Sequence, residues 1–178
     1  TGLPLGLTTA DIYLHDTYYV IGHFHYVVAP GTLLALFAGI YFWYPKATGR
    51  YMGQTLGKLH FWGTFIAMNG IFFPMLIQGM RHVNRRLWDQ TQYAHGAEVQ
   101  GLSEMQFYMA LLLGATQLLF IFNFFKSMRS GKKVESDNPW EATTLEWSTP
   151  TPPPHGNFAT QPVVHRGPYE YSVPGQTS

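Results

Sequence analysis

Two histidines lie two residues apart in an apolar stretch, and their type and spacing suit them to bind cofactors. The stretch HDTYYVIGHFHYV, residues 15–27, contains His23 and His25. A histidine in a membrane-spanning helix is costly without a partner, so it marks a functional candidate. Each helical residue turns by about 100°, which points these two side chains about 200° apart. They cannot share one metal ion from a regular helix, but each can serve a separate partner.

Two haems, each ligated by a neutral imidazole, match this geometry. Phe24 would then lie between the two cofactors, at a site of electron transfer. The alternative is that each histidine only hydrogen-bonds to another helix, and the HxH spacing alone does not separate these two readings.

A second group of polar residues, His15 and Asp16, comes just before the apolar run. An imidazole beside a carboxylate suits a divalent cation such as Mg²⁺ or Mn²⁺. Two ligands are too few for six-coordination, so water and another chain would have to complete the site. The alternative is a carboxylate or cap at a helix start, and spacing alone favours it.

An adjacent pair of arginines, Arg85 and Arg86, follows the second apolar stretch. Arginine binds carboxylates through two parallel hydrogen bonds, so haem propionates at a membrane surface would be suitable partners. The alternative is a solvated loop that pairs with Asp89 or with lipid headgroups.

The composition indicates a membrane protein. Charged residues make up 12% of the 178 residues, hydrophobic residues 46% and aromatic residues 16%, whereas about 25% charged residues is usual in soluble domains. No cysteine is present, which excludes disulfides, cysteine-ligated zinc and iron–sulfur clusters. The net charge of +1 gives no argument for nucleic-acid binding.

Three apolar stretches are long enough to span a bilayer, which takes about 20 helical residues. They cover residues 18–44, 59–79 and 105–125, and none contains Lys, Arg, Asp or Glu. We therefore predict an all-α membrane protein. Its parts are an outer-side loop with the cation site (1–17), three transmembrane helices within 18–129, and an extended Pro-rich tail (130–178) that cannot build a core of its own.

Basic residues predict the orientation in the membrane. The loop between the first two spans and the segment after the third share one side and are basic, whereas the other side has fewer basic residues. The positive-inside rule then places the tail in the cytoplasm and residues 15–16 and 85–86 outside. The basic residues on the cytoplasmic side are Lys46, Arg50, Lys58, Lys126, Arg129, Lys132 and Lys133.

Together these motifs identify a family. HDTYYVIGHFHYV closely resembles the signature of the haem–copper terminal oxidase catalytic subunit, subunit I, of the bacterial cytochrome c oxidase type. WYPKATGRYMGQTLGKLHF, MNGIFFPMLIQGM with its following RR, and NPWEATTLEWSTPTPPPHGNF resemble later parts of the same subunit. The resemblance covers nearly the whole chain and implies helices ten to twelve of a twelve-helix bundle.

The resemblance assigns the catalytic residues. It implies that His23 ligates the iron of the high-spin haem at the oxygen-reducing centre and that His25 ligates the iron of the low-spin haem, with Phe24 between them. Electrons would pass from the low-spin haem to the high-spin haem. His60 matches a family position, but we assign it no chemistry.

The resemblance also assigns roles to residues on the outer side. It implies that His15 and Asp16 bind Mg²⁺ or Mn²⁺ together with a carboxylate from subunit II. Asp11, Arg85 and Arg86 would lie at the haem propionates. RHVN before the arginine pair and RRLWDQTQYAHG across and after it depart from the family pattern, which weakens the register of the pair relative to that of the histidines.

The implied function is reduction of O₂ to water with electrons from cytochrome c, coupled to proton pumping in the bacterial inner membrane. The implied cofactors are two haems of the a type, a copper bound by residues outside this chain, and Mg²⁺ or Mn²⁺. The implied partners are the rest of subunit I, copper-bearing subunit II, subunit III, cytochrome c, O₂ and the lipid bilayer, without nucleic acid.

Because the copper-binding histidines are absent and the first residue is Thr1, we expect a piece of a longer chain or a processed product. A quinol oxidase of the same superfamily and a non-catalytic membrane assembly subunit are the alternatives.

Overall fold

The computed structural model describes residues 1–163 and 167–171, and within them the chain is helical without β-strands. A π-helical turn, Ala29–Leu33, connects α3 to α4, and 3₁₀ turns occur at Gln90–Gln92 and Leu145–Ser148. The α-helices are α1 (Gly2–Gly6), α2 (Thr8–Leu14), α3 (Tyr18–Val28), α4 (Leu34–Thr48), α5 (Gln54–Met80), α6 (Ala94–Ala97) and α7 (Gln100–Ser130).

Within the described residues, three helical segments are long and apolar enough to span a membrane, which confirms the predicted all-α membrane class. They are Tyr18–Thr48, Gln54–Met80 and Gln100–Ser130. Each is longer than the predicted span because the prediction counted apolar residues only. The helices continue into polar residues at their ends, where the side chains can reach water while the backbone stays hydrogen-bonded.

Two predicted non-helical regions contain local structure. Residues 1–17, predicted as a loop, include the short helices α1 and α2. The predicted extended tail carries the 3₁₀ turn Leu145–Ser148 and the fully buried Trp147. Of this tail, residues 164–166 and 172–178 lie outside the described residues.

Prolines do not end the first membrane segment. Pro30 lies in the π-helical turn, where hydrogen bonds join residues five apart instead of four. This local change of pattern tolerates a proline, which has no backbone N–H to donate. Pro45 lies inside α4, which continues to Thr48, beyond the predicted end of the span at residue 44.

The chain forms two compact units, Thr1–Leu36 with Lys58–Phe120, and Phe37–Gly57 with Ile121–Ser178. The core of the first unit is the buried cluster of Met68, Ile71 and Phe72 on α5. Partly buried residues of α3, α4, α5 and α7 pack against this cluster, along with Ala29 of the π-helical turn: Tyr26, Ala29, Leu34, Met75, Met109 and Leu113.

Polar side chains of α5 and α7 pair within the first unit. The buried hydroxyls of Thr64 and Thr116 lie 3.2 Å apart, and the Gln117 amide donates to Thr64 Oγ1 at 3.1 Å. A ring nitrogen of buried His60 lies 3.3 Å from Gln117 Oε1. Since lipid offers no hydrogen-bond partners, such pairs satisfy polar groups inside the protein and join the helices. These contacts agree with a structural role for His60.

Glycines let α3 approach α5 closely. A methyl group at Gly79 would collide with the backbone nitrogen of Tyr19, and one at Gly22 would lie 3.1 Å from the carbonyl oxygen of Phe72. Contact with backbone cannot be relieved by a side-chain rotation. The position of α3, which carries the histidine pair, therefore depends on these two residues.

We expect Gly79→Ala to destabilise the packing of α3 on α5 by about 1–3 kcal/mol, the usual cost of overpacking. Gly114→Ala on α7 is the matched control, because a methyl group there meets no atom within 4 Å. Thermal unfolding of the purified protein with its native partners should show a lower Tm for the first variant only. Equal Tm values would contradict the proposed close packing.

In the second unit, Lys46 on α4 is buried, with 4% of its surface exposed. Its ammonium group binds backbone and side-chain oxygens of the tail. It donates to the carbonyl oxygens of Asp137, at 3.1 Å, and Thr149, and to Thr151 Oγ1 at 3.2 Å. The same ammonium lies 5.7 Å from the centre of the Trp147 ring. Three oxygens and an aromatic face replace the water that a lysine normally needs.

Trp147 is one of several aromatic residues that connect the tail to α4. Its ring lies 5.0 Å from that of Phe42, and the Trp140 indole donates to the carbonyl oxygen of Phe42 at 2.8 Å. Burial alone would raise the pKa of the nearby Glu146, but hydrogen bonds, including one from Trp43, and the charge of Lys46 together lower that pKa. The first part of the tail is therefore packed against α4 of the same unit.

We expect Lys46→Met to loosen residues 137–151, because the carbonyls of Asp137 and Thr149 would lose their donor at a cost of roughly 1–3 kcal/mol. Limited proteolysis with an unspecific protease should then cleave the tail at least several times faster. Lys58→Met, at an exposed position on α5, should leave the cleavage rate unchanged. An unchanged rate in both variants would refute the role of Lys46.

Candidate functional site

The histidine pair lies in the middle of α3, whose start is fixed by a cap. The hydroxyl of Thr17 accepts a hydrogen bond from the backbone N–H of Tyr19 at 3.2 Å and donates to the carbonyl of Leu14 at 2.6 Å. This satisfies a backbone donor at the helix start. The regular helix from Tyr18 to Val28 then sets the angle between His23 and His25.

His25 has a defined tautomer. Its Nδ1 lies 2.8 Å from the carbonyl oxygen of Ile21, one turn earlier on α3. Because a carbonyl only accepts, Nδ1 carries the hydrogen, and in the neutral ring Nε2 keeps its lone pair. The ring stacks on Phe72 of α5, with centroids 4.9 Å apart, and lies 4.2 Å from the ring of Phe24. This side chain is therefore held in orientation, and its Nε2 has a lone pair that is available to a metal.

His23 has different neighbours. Its Nδ1 lies 2.8 Å from Thr1 Oγ1, and a methyl group at Gly2 would lie 3.0 Å from its ring. Its Nε2 makes no hydrogen bond within the part of the chain that the structure describes. Phe24, between the two histidines, is 43% exposed. An exposed aromatic ring thus lies between two imidazoles with separate surroundings.

Backbone pairing brings the second and third predicted groups together. The N–H of Arg85 donates to the carbonyl of Asp16 at 2.9 Å, and that of Tyr18 donates to the carbonyl of Val83 at 2.9 Å. Asp16 adopts a left-handed conformation, with φ of 57°, which turns the chain between α2 and α3. The guanidinium of Arg85 forms an ion pair with the Asp16 carboxylate.

The candidate cation ligands are close but incomplete. His15 Nε2 lies 3.5 Å from Asp16 Oδ2, and His15 Nδ1 lies 3.9 Å from Asp11 Oδ2. Residues 1–163 and 167–171 contain no group of three or more His, Asp or Glu side chains arranged to hold a metal. A cation at His15 and Asp16 would need further ligands from water or another chain.

The arginine pair makes contacts that sequence reasoning did not anticipate. Arg85 pairs with Asp16 rather than with Asp89. The Asp89 carboxylate instead accepts hydrogen bonds from Thr91 Oγ1, at 2.7 Å, and Thr91 N, at 2.9 Å, which lower the pKa of Asp89. Arg85 Nε is buried without a hydrogen-bond partner among the described residues. Arg86 is exposed, with φ of 65°.

Some contacts of the candidate site could have been predicted from the sequence, and others could not. Ile21 lies four residues before His25, so the hydrogen bond to its carbonyl could have been inferred from helical spacing. Phe72, which stacks on His25, carries no such signal because it lies on another helix. The ion pair between Asp16 and Arg85 depends on backbone pairing between distant segments.

Comparison with known sequences gives a consistent result. The sequence model of the family described as "Cytochrome C and Quinol oxidase polypeptide I" matches residues 1–135. The chain is 43% identical over 173 residues to "Cytochrome c oxidase subunit 1" of Synechocystis sp., covering 97% of this chain and 30% of that protein. It is 44% identical over 178 residues to "Alternative cytochrome c oxidase subunit 1" of Bradyrhizobium diazoefficiens, covering 98% of this chain and 30% of that protein. The chain thus spans about a third of the length of these relatives.

We expect Asp16→Asn to weaken binding of a divalent cation at His15 and Asp16 at least tenfold, because a charged oxygen ligand is lost. The measurement is the Mn²⁺ electron paramagnetic resonance signal that the protein, purified with its native partners, retains after chelation. Asp89→Asn is the control, since that carboxylate binds Thr91 instead. Full retention of Mn²⁺ by the Asp16 variant would eliminate the site.

Proposed function

Because the chain belongs to the cytochrome c and quinol oxidase polypeptide I family, we propose that it forms part of the catalytic subunit of a terminal oxidase. The whole enzyme would reduce O₂ to water with electrons from cytochrome c and pump protons. The activity belongs to the full subunit, of which this chain corresponds to about a third. The observation that carries the proposal is the hydrogen bond from His25 Nδ1 to the carbonyl of Ile21.

That hydrogen bond suits a metal ligand. A metal-binding histidine usually donates its other ring N–H to a carbonyl or carboxylate, which fixes the tautomer and raises the basicity of the ligating nitrogen. Ile21 does this for His25, and Phe72 holds the ring plane. His25 would thus ligate the low-spin haem iron through Nε2. His23, whose Nδ1 lies against Thr1 Oγ1, would ligate the high-spin haem iron in the same way.

Other features of α3 would help to position the two haems that His23 and His25 ligate. The two haems, when bound, supply the one-electron chemistry and the binding of O₂. Phe24 lies between the two ligands along the helix, with its ring 4.2 Å from that of His25. Since α3 is held against α5 at Gly22 and Gly79, both imidazoles are held by one rigid element. A rigid element keeps the two cofactors at a constant separation.

On the predicted outer side, charged side chains would bind the haem propionates and a divalent cation. Arg85, whose buried Nε makes no hydrogen bond to the residues that the structure describes, and the exposed Arg86 would bind haem propionates. Asp11, near His15, would lie beside them. His15 and Asp16 would bind Mg²⁺ or Mn²⁺ with a carboxylate from subunit II. The ion pair of Arg85 with Asp16 would connect the two sites electrostatically.

The proposed setting is a respiratory complex in the bacterial inner membrane, with the tail in the cytoplasm. Copper ligands would come from residues outside this chain, and subunits II and III would be partners. The names of the relatives above favour cytochrome c as the donor, whereas the family description also includes quinol oxidases. The positive-inside rule and the three apolar helices support the orientation.

We expect His25→Ala to abolish the low-spin haem band and His23→Ala to abolish the high-spin band in the reduced-minus-oxidised spectrum of the purified complex. Each variant removes the only nitrogen that its iron would bind on this helix. His155→Ala, at an exposed position in the tail, should leave both bands intact. Retention of both bands in the histidine variants would support a non-catalytic membrane subunit instead.

A further inference from the structure

We propose that a cavity between the start of α5 and the end of α7 binds the phosphate headgroup of an anionic glycerophospholipid. The cavity has a volume of about 500 Å³. The proposal depends on the placement of these helices in a membrane and not on the proposed oxidase activity. Residues that line the cavity include Tyr51, Gln54, Lys126, Ser130, Lys132 and Trp140.

Backbone pairing makes the cavity wall rigid. The N–H of Tyr51 donates to the carbonyl of Lys132 at 2.8 Å, and Arg50 Nη1 donates to the carbonyl of Gly131 at 2.8 Å. A methyl group at Gly131 would lie 2.6 Å from the carbonyl oxygen of Tyr51, so only glycine permits this approach. Because one backbone hydrogen bond and one from the Arg50 side chain hold the two segments together, the cavity exists without a ligand.

The polar groups at the base of the cavity are already paired. The N–H of Gly53 donates to Asn123 Oδ1 at 3.0 Å, and Asn123 Nδ2 donates to the carbonyl of Gly53 at 3.0 Å. Ser127 Oγ bonds to Asn123 Oδ1 at 3.2 Å. These groups therefore set the shape of the cavity, and its affinity for a ligand comes from other side chains.

The charge of the lining is positive. Lys126 and Lys132 line the cavity, and among the described residues no Asp or Glu lines it. Lys132 makes one ion pair, at 3.3 Å with Glu135, but both side chains are more than 70% exposed, and such pairs contribute little. Lys126 lies 5.6 Å from the centre of the Phe122 ring. Both ammonium groups can turn toward an anion without breaking a buried interaction.

The position of the cavity at the ends of two long helices points to a lipid rather than to a free anion. It lies where two helices of membrane-spanning length begin and end, at the level where Tyr51 and Trp140 would meet the headgroup region. Phe122 and Phe125, exposed on α7 before Lys126, offer apolar surface for acyl chains. Basic cavities at such helix ends attract anionic headgroups, at about 1 kcal/mol per lysine.

The test is lipid binding to the purified complex, measured by native mass spectrometry during titration with phosphatidylglycerol. We expect the double variant Lys126→Gln/Lys132→Gln to bind about 25-fold more weakly, the product of two losses of about fivefold. The matched control is Arg129→Gln/Lys133→Gln, which changes the net charge equally outside the cavity and should shift binding less than threefold. The variant Lys126→Arg/Lys132→Arg should retain binding.

Three outcomes would overturn the proposal. Equal losses in the two glutamine variants would indicate general surface charge, and binding of phosphatidylcholine as tight as that of phosphatidylglycerol would exclude headgroup recognition. Displacement of the lipid by millimolar inorganic phosphate alone would indicate a site for the free anion. If the double variant does not assemble, Lys132→Gln alone should weaken binding about fivefold, and an unchanged affinity there would also refute the site.

Discussion

Polar groups within apolar helices must find their hydrogen-bond partners inside the protein, and the arrangement of both units depends on this constraint. His25 satisfies it through the carbonyl of its own helix, at Ile21. Thr64 and Thr116 satisfy it across two helices, which joins α5 to α7. Lys46 satisfies it with oxygens of the tail. The same requirement therefore orients a candidate ligand, joins helices and holds a terminal segment.

The candidate site depends on how firmly α3 is held, because one helix carries both histidines. The Thr17 cap determines where the helix begins, and the close approach at Gly79 leaves no space between its first turn and α5. Phe72 then serves both the core of the first unit and the stacking of His25. A change in core packing would consequently alter the orientation of the imidazole. Structural and functional roles overlap in these residues.

Opposite charges meet on the predicted outer side because two irregular segments pair through their backbones. The hydrogen bonds between residues 16–18 and 83–85 place Arg85 on Asp16. The ion pair is partly exposed, so its contribution to stability is small. Its importance lies in position, since it joins the carboxylate proposed to bind a cation to the guanidinium proposed to bind a propionate. Any cation at Asp16 would change the electrostatic environment of Arg85.

The amino-acid sequence by itself determined the helical membrane class, the spans and the angle between His23 and His25, because apolar length and helical periodicity are local properties. It also determined the family, because HDTYYVIGHFHYV and the later motifs are specific in type and order. The helices extend beyond the predicted apolar spans where polar residues continue them, as at Gln54 and Ser130. Only the tertiary structure decided that Phe72 stacks on His25, that Arg85 pairs with Asp16 and that Lys46 holds the tail. Each of these joins residues far apart in the chain, and such contacts follow from packing rather than from local pattern.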